Sequence, residues 1–329
     1  MKRIISIIVS LCIIFTFTSC SKAPQSAENI KEDVVQVQEN TTFSEDIESI
    51  PQGYYDHIES GANATELISY THKDHSKNAI VYLPPNYSEN EKYDVLYIVP
   101  GNTGDYTTYF SENGTDREFQ LLLDNMIING DIKPCIVAAL SFYPKELNMD
   151  NITLDEMLVD FREEMTQCII PLVETKYSTY TEGTTKEDLI KSRDHRAFAG
   201  CSMGGAFTWD MLATNIEYFR YYAPTAAGSF EDYYSGHSGV GETVREELRE
   251  KGYTTDDFFI FGTDGTKDVT YDKMEMLINR FKTDYSDVFI FTDNDKSKGN
   301  ITYKVLEDGE HNFDYMRIYL YNALRAFWK

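Results

Sequence analysis

Basic residues are scarce in this sequence. Its 329 residues include 30 lysines and arginines against 54 aspartates and glutamates, which gives a formal net charge of −24. A chain this acidic is repelled by the phosphate backbone of DNA or RNA, and no basic stretch is long enough to reverse that locally. Nucleic acid is therefore excluded as a partner, whereas a neutral or weakly charged substrate is compatible with the charge.

Cysteine is also rare, and its spacing forms no metal-binding or disulfide pattern. Of the five cysteines, Cys12 lies in an N-terminal apolar run and Cys20 closely follows that run. The other three, Cys135, Cys168 and Cys201, are odd in number and include no C-x-x-C pair. Neither a disulfide framework nor a zinc site is predicted. All three lie in apolar segments, where we expect small core side chains.

The sequence lacks an apolar run of the roughly 20 residues that a membrane-spanning helix needs. Its apolar run covers residues 4–17, follows two basic residues and precedes Thr18-Ser19-Cys20. This layout is typical of a secretory signal, and the small residues ending at Cys20 are similar to a bacterial lipoprotein signal. We predict a cell-surface protein anchored by lipid on Cys20. Simple cleavage is the alternative, because Phe17 stands where leucine is more usual.

The chain divides into three segments. Residues 1–20 form the predicted lipoprotein-type signal. Residues 21–52 are polar, acidic and without helical or strand period, which predicts a flexible linker. Residues 53–329 alternate between strand and helix patterns without an internal repeat, which predicts one α/β domain of a length that such folds often reach.

Apolar runs bounded by turn residues predict the strands, and apolar residues at helical spacing predict the helices. Predicted strands cover residues 79–83, 93–99, 135–140, 197–199, 221–226, 258–261 and 301–306. Predicted helices cover 154–177, interrupted at Pro171, and 204–213, 243–251, 272–281 and 315–327. This alternation predicts a mainly parallel sheet with helices on both faces. In such sheets the functional site forms at the carboxyl ends of the strands.

Residues 200–205, GCSMGG, match the G-x-S-x-G pattern between a predicted strand and a predicted helix. A nucleophilic serine needs a tight strand-to-helix turn that presents its hydroxyl above the sheet edge, and glycines on both sides permit that turn. The helix amino terminus then favours the negative charge that develops during acyl transfer. Ser202 is the predicted nucleophile. A chance match to so short a pattern is common enough that it needs partner residues.

Only two histidines, His237 and His311, follow Ser202, and the order serine, acid, histidine is the one that this architecture uses. His311 lies in the loop between the last predicted strand and the last predicted helix, where a base can reach the serine. His237 lies among serines and glycines, which favours a loop. His195 precedes the nucleophile strand at its opposite end and is interpreted as structural. His311 is the predicted base.

Two aspartates, Asp264 and Asp268, compete for the role of the acid after the predicted strand at 258–261. The pattern alone does not separate them, because either could turn toward a histidine. Asp264-Gly265 is a favoured turn dipeptide, which makes Asp268 the better candidate. The acidic residues beside His311 are interpreted as a solvated loop.

From about residue 79 onward the chain resembles carbohydrate esterase family one, and in particular the feruloyl esterase domains of bacterial xylanases. The matching blocks are YLPP at 82–85, KYSTY at 176–180, SRDHR at 192–196, GCSMGG at 200–205, KD at 267–268, KGN at 298–300, GEH at 309–311 and YMR at 315–317. The resemblance implies an α/β-hydrolase fold with Ser202 as nucleophile, His311 as base and Asp268 as acid. It thus favours Asp268 over Asp264 independently of the turn argument.

The resemblance also implies an oxyanion hole and a substrate pocket. The backbone N–H groups of Met203 and Asn102 correspond to the two oxyanion donors, although Pro100 stands where the family has histidine. The segment at 229–234 corresponds to an aromatic-rich pocket loop, so Phe230 and Tyr233 are candidate substrate-binding residues, with ordinary core packing as the equal alternative. Trp209 fits the family pattern too, but its helical spacing favours packing.

The activity implied by the resemblance is serine carboxylesterase action on hydroxycinnamoyl, above all feruloyl, esters of plant xylan, without metal or organic cofactor. The alternatives are an acetyl xylan esterase, a siderophore or other small-ester hydrolase, and a non-catalytic surface lipoprotein that binds polysaccharide. The expected partner is a small ester or a feruloylated or acetylated oligosaccharide. A membrane is expected to be contacted only through the N-terminal lipid.

Overall fold

A computed structural model of the protein describes residues 47–56, 65–102, 104–112, 117–142, 153–233 and 239–329. All of these residues belong to one unit, Phe43–Lys329. The predicted signal, its Cys20 and most of the predicted linker lie outside the described residues. Within the described ranges, none of the helices combines the length and the apolar character needed to cross a membrane.

A twisted sheet forms the centre of this unit, and eight strands of it are described. They are β1 (Thr65–His72), β2 (His75–Tyr82), β3 (Asp94–Val99), β4 (Cys135–Ala139), β5 (Arg196–Cys201), β6 (Tyr221–Thr225), β7 (Phe259–Gly265) and β8 (Ile301–Leu306). Their order across the sheet is β1-β2-β4-β3-β5-β6-β7-β8. The strands from β4 to β8 run parallel, and β1 and β2 join one edge antiparallel. The prediction of a mainly parallel sheet is confirmed.

The first strand was not predicted, and β2 begins four residues earlier than the pattern indicated. β1 is an edge strand in which exposed and half-buried positions dominate, so its side chains include few large apolar groups. By contrast, all six residues of β5 are buried, as are five of the six in β3. A continuous apolar run marks a strand covered on both faces, whereas an edge strand lacks that signal.

Helices cover both faces of the sheet, as predicted. They are α1 (Glu118–Ile128), α2 (Leu154–Glu164), α3 (Ile170–Lys176), α4 (Lys186–Lys191), α5 (Met203–Thr214), α6 (Phe230–Tyr233), α7 (Val240–Lys251), α8 (Tyr271–Asp284) and α9 (Phe313–Trp328). The buried side chains of α2, α5, α7 and α8 form one apolar layer. Those of α1 and α9 form a second layer against the opposite face. The α1, α4 and α6 helices were not predicted.

The long helix predicted at 154–177 is divided into three parts. Thr153 caps α2 through a capping box with Glu156. A π-helical turn, Met165–Ile169, then separates α2 from α3, which has Pro171 in its first turn. Proline has no N–H to donate to the preceding turn, so the hydrogen-bond ladder is rearranged just before it. The interruption predicted at Pro171 is therefore present, although it begins several residues earlier.

The predicted linker ends earlier than residue 52. The Glu48 N–H donates to Asn322 Oδ1 at 3.0 Å, and Asn322 Nδ2 donates back to the Glu48 carbonyl at 2.8 Å. Glu48 also forms an ion pair with Arg325, and Ile50 packs against the core layer that includes α9. The folded chain thus begins by residue 47, because paired backbone groups and one apolar side chain hold this polar segment on α9.

Candidate active site

Ser202 occupies the turn between β5 and α5. Its backbone has φ 56° and ψ −123°, a left-handed conformation that a residue with a β-carbon rarely adopts. The Ser202 N–H donates to the carbonyl of Thr225 on the neighbouring strand at 3.0 Å, which fixes the strained turn to the sheet. Backbone strain of this kind is concentrated at functional sites, where it presents a side chain that a relaxed turn would not.

The turn depends on two glycines that have no room for a β-carbon. A β-carbon on Gly200 would lie 2.3 Å from the carbonyl oxygen of Gly204. One on Gly204 would lie 2.5 Å from the carbonyl oxygens of both Val99 and Pro100. Helix α5 therefore begins in direct backbone contact with the end of β3, and this contact brings the loop after β3 to the nucleophile.

The structure brings the three predicted triad side chains together. His311 Nε2 lies 2.9 Å from Ser202 Oγ. His311 Nδ1 lies 2.8 Å and 2.9 Å from the two carboxylate oxygens of Asp268. The Asp268 side chain is fully buried, whereas 28% of the His311 side chain is exposed. The base can therefore meet a substrate from solvent, while its carboxylate partner is shielded from water.

The loops that hold the acid and the base are joined by their backbones. Beyond β7 and β8, Thr266 N–H donates to the Leu306 carbonyl and Lys267 N–H donates to the Gly309 carbonyl, each at 3.0 Å. A β-carbon on Gly265 would lie 2.4 Å from the Gly309 carbonyl oxygen, so the two loops touch. This contact explains how residues more than forty positions apart in sequence meet with hydrogen-bond geometry.

Asp264, the rival candidate for the acid, lies behind Asp268 and makes no hydrogen bond to His311 in the described structure. Its side chain accepts the Gly265 N–H at 2.8 Å and lies 3.2 Å from Thr270 Oγ1. Burial and the negative charge of Asp268 raise the pKa of Asp264 to about 8. Asp268 is thus the carboxylate on the base, and Asp264 is a second buried carboxyl group close to it.

The two predicted oxyanion donors lie on segments that flank the nucleophile. Met203 is the first residue of α5, and the first N–H groups of a helix have no acceptor within the helix. Gly101 lies against Ser202: a β-carbon on Gly101 would be 3.2 Å from Ser202 Cβ and 3.7 Å from its Oγ. Asn102 is the next residue of that loop. The loop therefore still lies next to Ser202, although Pro100 stands in place of histidine.

Of the candidate pocket residues, Trp209 and Phe230 are buried in the core. Trp209 is fully buried, its Nε1 donates to the Ala227 carbonyl at 3.0 Å, and its ring packs edge-on against Phe281. It is a core residue, as its helical spacing favoured, and it is no longer a candidate for substrate contact. Phe230 is also buried, 6% exposed, and packs edge-on against Phe207. The side chain of Tyr233 lies outside the described residues.

Sequence reasoning missed an aromatic pair next to the base. Phe313, two residues after His311, is 42% exposed, and its ring centroid lies 5.8 Å from that of Tyr109. The Tyr109 hydroxyl donates to the Val99 carbonyl at 3.1 Å and lies 3.4 Å from Cys201 Sγ, next to the nucleophile. The signal for Phe313 was its position at the start of the helix that follows the base, beyond the carboxyl end of β8, where sites of such sheets form.

The sequence indicated His195 and three cysteines as structural residues, and most of their contacts agree with that interpretation. His195 Nδ1 lies 2.7 Å from Asp94 Oδ1, and the ring stacks on Tyr180 with centroids 3.5 Å apart. Cys135 and Cys201 are buried, and burial raises the pKa of the Cys201 thiol to about 12. Both behave as small core side chains, as predicted. Cys168 is only partly buried, which departs from the expected core position.

One group of side chains among the described residues has the spacing of a metal site. The ligand atoms of His72, Asp160 and Glu164 lie within 4.8 Å of one another. The Lys77 ammonium already donates to Glu164 at 2.6 Å, as does the Tyr70 hydroxyl. Burial lowers the pKa of Lys77, and the Glu164 charge opposes that effect. This group is therefore a buried ion pair with partners of its own rather than an open ligand set.

The sequence matches the esterase family model, described as "Putative esterase", over residues 70–227. It is 34% identical over 266 residues, 79% of this chain, to endo-1,4-beta-xylanase Y of Acetivibrio thermocellus. It is 29% identical over 166 residues, 47% of this chain, to an endo-1,4-beta-xylanase/feruloyl esterase of Xylanibacter ruminicola. The chain spans only 23% and 20% of the lengths of these two relatives.

Solved structures extend this likeness over whole domains. The feruloyl esterase module from Clostridium thermocellum, a serine-to-alanine mutant complexed with sinapinate, superimposes with a TM-score of 0.72 at 31% identity, covering 84% of this chain and 91% of the module. A ferulic acid esterase of Anaeromyces mucronatus, in complex with ferulic acid, shares the fold with a TM-score of 0.59 at 16% identity, over 84% and 94% of the chains. The protein therefore belongs to carbohydrate esterase family one with the feruloyl esterase modules, and it is a serine carboxylic ester hydrolase of the α/β-hydrolase fold.

Proposed function

We propose that the protein hydrolyses hydroxycinnamoyl esters, above all feruloyl esters, of plant xylan through an acyl-enzyme formed on Ser202. The observation that carries the mechanism is the continuous hydrogen-bonded path from Asp268 through His311 to the Ser202 hydroxyl. Each step of that path has the distance of a normal hydrogen bond. The base therefore needs no rearrangement before it accepts a proton.

In the first step, His311 Nε2 takes the Ser202 proton as the hydroxyl oxygen attacks the ester carbonyl carbon. The new imidazolium carries its other proton on Nδ1, which donates to the buried Asp268 carboxylate. That carboxylate fixes the tautomer of the imidazole and stabilises its positive charge. Collapse of the tetrahedral intermediate expels the alcohol, which takes the proton from Nε2 and leaves the acyl group on the serine oxygen.

In the second step, water attacks the acyl-enzyme. His311 removes a proton from that water, and the carboxylic acid leaves as Ser202 recovers its own proton from the imidazolium. In both steps a negative oxygen develops on the carbonyl, and we assign its stabilisation to the N–H groups of Met203 and Asn102. The amino terminus of α5 adds the favourable end of its dipole at the same place.

The feruloyl assignment has two supports. The two curated relatives are named as xylanases, one of them also as a feruloyl esterase, and the feruloyl esterase module at 31% identity holds a hydroxycinnamate, sinapinate. Near the base, Phe313 exposes an aromatic surface on which a phenolic ring can stack. We therefore place the acyl ring on the side of the site formed by Phe313 and Tyr109, rather than next to Phe230.

The direct test is release of ferulate from methyl ferulate and from feruloylated arabinoxylan by the purified protein. We expect hydrolysis by the wild type, loss in Ser202→Ala, and wild-type rates in Ser297→Ala, which changes an exposed turn serine. Acetylated xylan and an iron-chelating trilactone ester are the competing substrates. Activity on acetyl or chelator esters alone would reject the feruloyl assignment, and activity that persists in Ser202→Ala would reject the nucleophile.

We also propose that the enzyme is held at the cell surface by lipid on Cys20, followed by a flexible acidic segment that ends before residue 47. The support is the sequence layout of the signal and the polar composition that follows it. Expression of the full chain with radiolabelled palmitate tests this proposal. We expect label in the wild type and none in Cys20→Ser, and release of unlabelled wild-type enzyme into the medium would contradict it.

A further inference from the structure

Behind the triad, a single hydroxyl lies between two buried carboxyl groups. Thr270 Oγ1 is 2.7 Å from Asp268 Oδ1 and 3.2 Å from Asp264 Oδ2. The Thr270 N–H donates to the same Asp268 oxygen at 2.9 Å. None of the three residues is more than 8% exposed, and Asp264 is fully buried. The mechanism proposed above uses Asp268 but leaves the other two residues without a role.

The proton count at Thr270 fixes the direction of its hydrogen bonds. A threonine hydroxyl has one proton, and the shorter distance directs that proton to Asp268. The Thr270 oxygen then presents lone pairs to Asp264, and an ionised carboxylate facing those lone pairs would be repelled. A protonated Asp264 instead donates to Thr270 Oγ1. The Thr270 hydroxyl therefore has a partner for its proton and for its lone pairs when Asp264 is protonated and Asp268 is ionised.

The surroundings of Asp264 favour that protonation state. The titratable groups that the described residues bring near Asp264 are Asp268 from its own loop, Tyr271 and Glu275 from α8, Tyr303 from β8 and Tyr319 from α9. None of these groups is a cation, and the charged ones, Asp268 and Glu275, are negative. Burial, followed by the charge of Asp268, raises the pKa of Asp264 to about 8.

We infer that Asp264 is a positioning residue of the active site, which acts on Asp268 through the hydroxyl of Thr270. The Asp264 proton goes to Thr270 Oγ1, the Thr270 proton goes to Asp268 Oδ1, and the Asp268 carboxylate accepts the His311 Nδ1 proton. Thr270 thereby fixes the rotation of the carboxylate that orients the base. This inference rests on the proposed function, because it assigns Asp268 the role of the acid.

The inference predicts how the site responds to alkali. When Asp264 loses its proton, the Thr270 hydroxyl gains a second anionic acceptor, and Asp268 loses the donor that holds it. The turnover number should then fall above about pH 8, while the Michaelis constant changes little, because Asp264 and Thr270 are both buried. If Asp264 served only to accept the Gly265 N–H in a turn, its replacement would change stability and leave the pH profile of turnover as it is.

The experiment measures turnover of methyl ferulate from pH 6 to 9.5 in five proteins: the wild type, Asp264→Ala, Asp264→Asn, Thr270→Val and Thr270→Ser. We expect kcat to fall about tenfold in Asp264→Ala and in Thr270→Val, with KM within about twofold. The amide of Asp264→Asn donates to Thr270 at every pH, so it should restore kcat to within about threefold and remove the alkaline fall. Thr270→Ser keeps the hydroxyl and should restore kcat as well.

A second readout needs no substrate. At pH 7 exposed carboxyl groups are ionised, and the infrared band of a protonated buried carboxyl group is assigned to Asp264 by its loss in Asp264→Asn. We expect the band in the wild type and in Ser202→Ala, its loss on titration through about pH 8, and its absence from Asp264→Asn. The inference would be overturned if the wild-type protein lacked that band. It would also be overturned if Asp264→Asn kept the alkaline fall in kcat, or if Thr270→Ser kept the tenfold loss of kcat. If the protein hydrolyses no feruloyl ester, the proposed function fails. The infrared result still decides the protonation state of Asp264, and turnover of any other ester that the protein hydrolyses still decides the positioning role of Asp264 and Thr270.

Discussion

The contact between Gly204 and the end of β3 supports a quantitative prediction for Gly204→Ala. Gly204 has no positive φ, so alanine is conformationally allowed and the effect of the substitution is steric. The new β-carbon would lie 2.5 Å from the carbonyl oxygens of Val99 and Pro100, roughly 0.9 Å short of ordinary contact. Both atoms belong to backbone, so the strain cannot be relieved by rotating a side chain.

The expected free-energy change is a difference between two opposed effects. Alanine in place of glycine in a helix contributes up to about 1 kcal/mol of stability. Inserting a methyl group into a closely packed site costs about 1–3 kcal/mol, and two backbone clashes put this site at the upper end. We therefore expect the free energy of unfolding to fall by about 2–3 kcal/mol. The loop that carries Asn102 would move as well, so kcat should fall about 10- to 100-fold.

Urea unfolding and steady-state hydrolysis of methyl ferulate measure both effects. Gly262→Ala is the matched control, because its β-carbon would lie 3.0 Å from Met274 Cε, the end of a flexible side chain, and 3.5 Å from a ring carbon of Tyr303. The control should keep wild-type kcat and change stability by less than about 1 kcal/mol. If Gly204→Ala were as stable and as active as Gly262→Ala, the packing account of this turn would be refuted.

Three further substitutions separate chemistry from structure. In Asp268→Asn the amide can donate to His311 Nδ1 and stabilise the wrong tautomer, so kcat should fall about 10⁴-fold, and a loss below about tenfold would contradict the role of the acid. Glu174→Gln leaves the buried guanidinium of Arg196 without its carboxylate, so urea unfolding should show a loss of about 3 kcal/mol with kcat unchanged. Trp209→Phe removes one buried hydrogen bond and should cost about 1–2 kcal/mol without a change in KM, whereas a clear rise in KM would return Trp209 to the substrate pocket.

The parts of the site that could be predicted from sequence are those with local signals. The Ser202 turn needs glycines at fixed spacing between a buried strand and a helix, and these requirements are visible in six residues. The position of His311 followed from its place between the last strand and the last helix. The parallel sheet was predictable because strands such as β5 are buried along their whole length and therefore read as continuous apolar runs.

The features that sequence missed depend on distant contacts. The strand pattern alone left the choice between Asp264 and Asp268 open, and the loop contact between Gly265 and Gly309 helps to bring Asp268 to the base. The sequence left Phe230 open between pocket and core, and its packing against Phe207 places it in the core. The edge strand β1 lacks an apolar run, and the segment around Glu48 is held by contacts with α9, whose Asn322 lies 274 residues later.

Ser202 as the nucleophile is tested by the site of labelling with a fluorophosphonate, which reacts with a serine activated by a neighbouring base. The protein is treated with the probe, digested, and mapped by mass spectrometry, with Ser202→Ala and His311→Ala as controls. We expect one adduct, on the peptide that contains Ser202. Ser202→Ala should give no adduct, and His311→Ala should be labelled much more slowly. An unlabelled wild type, or an adduct on another serine, would contradict the assignment of Ser202 as the nucleophile.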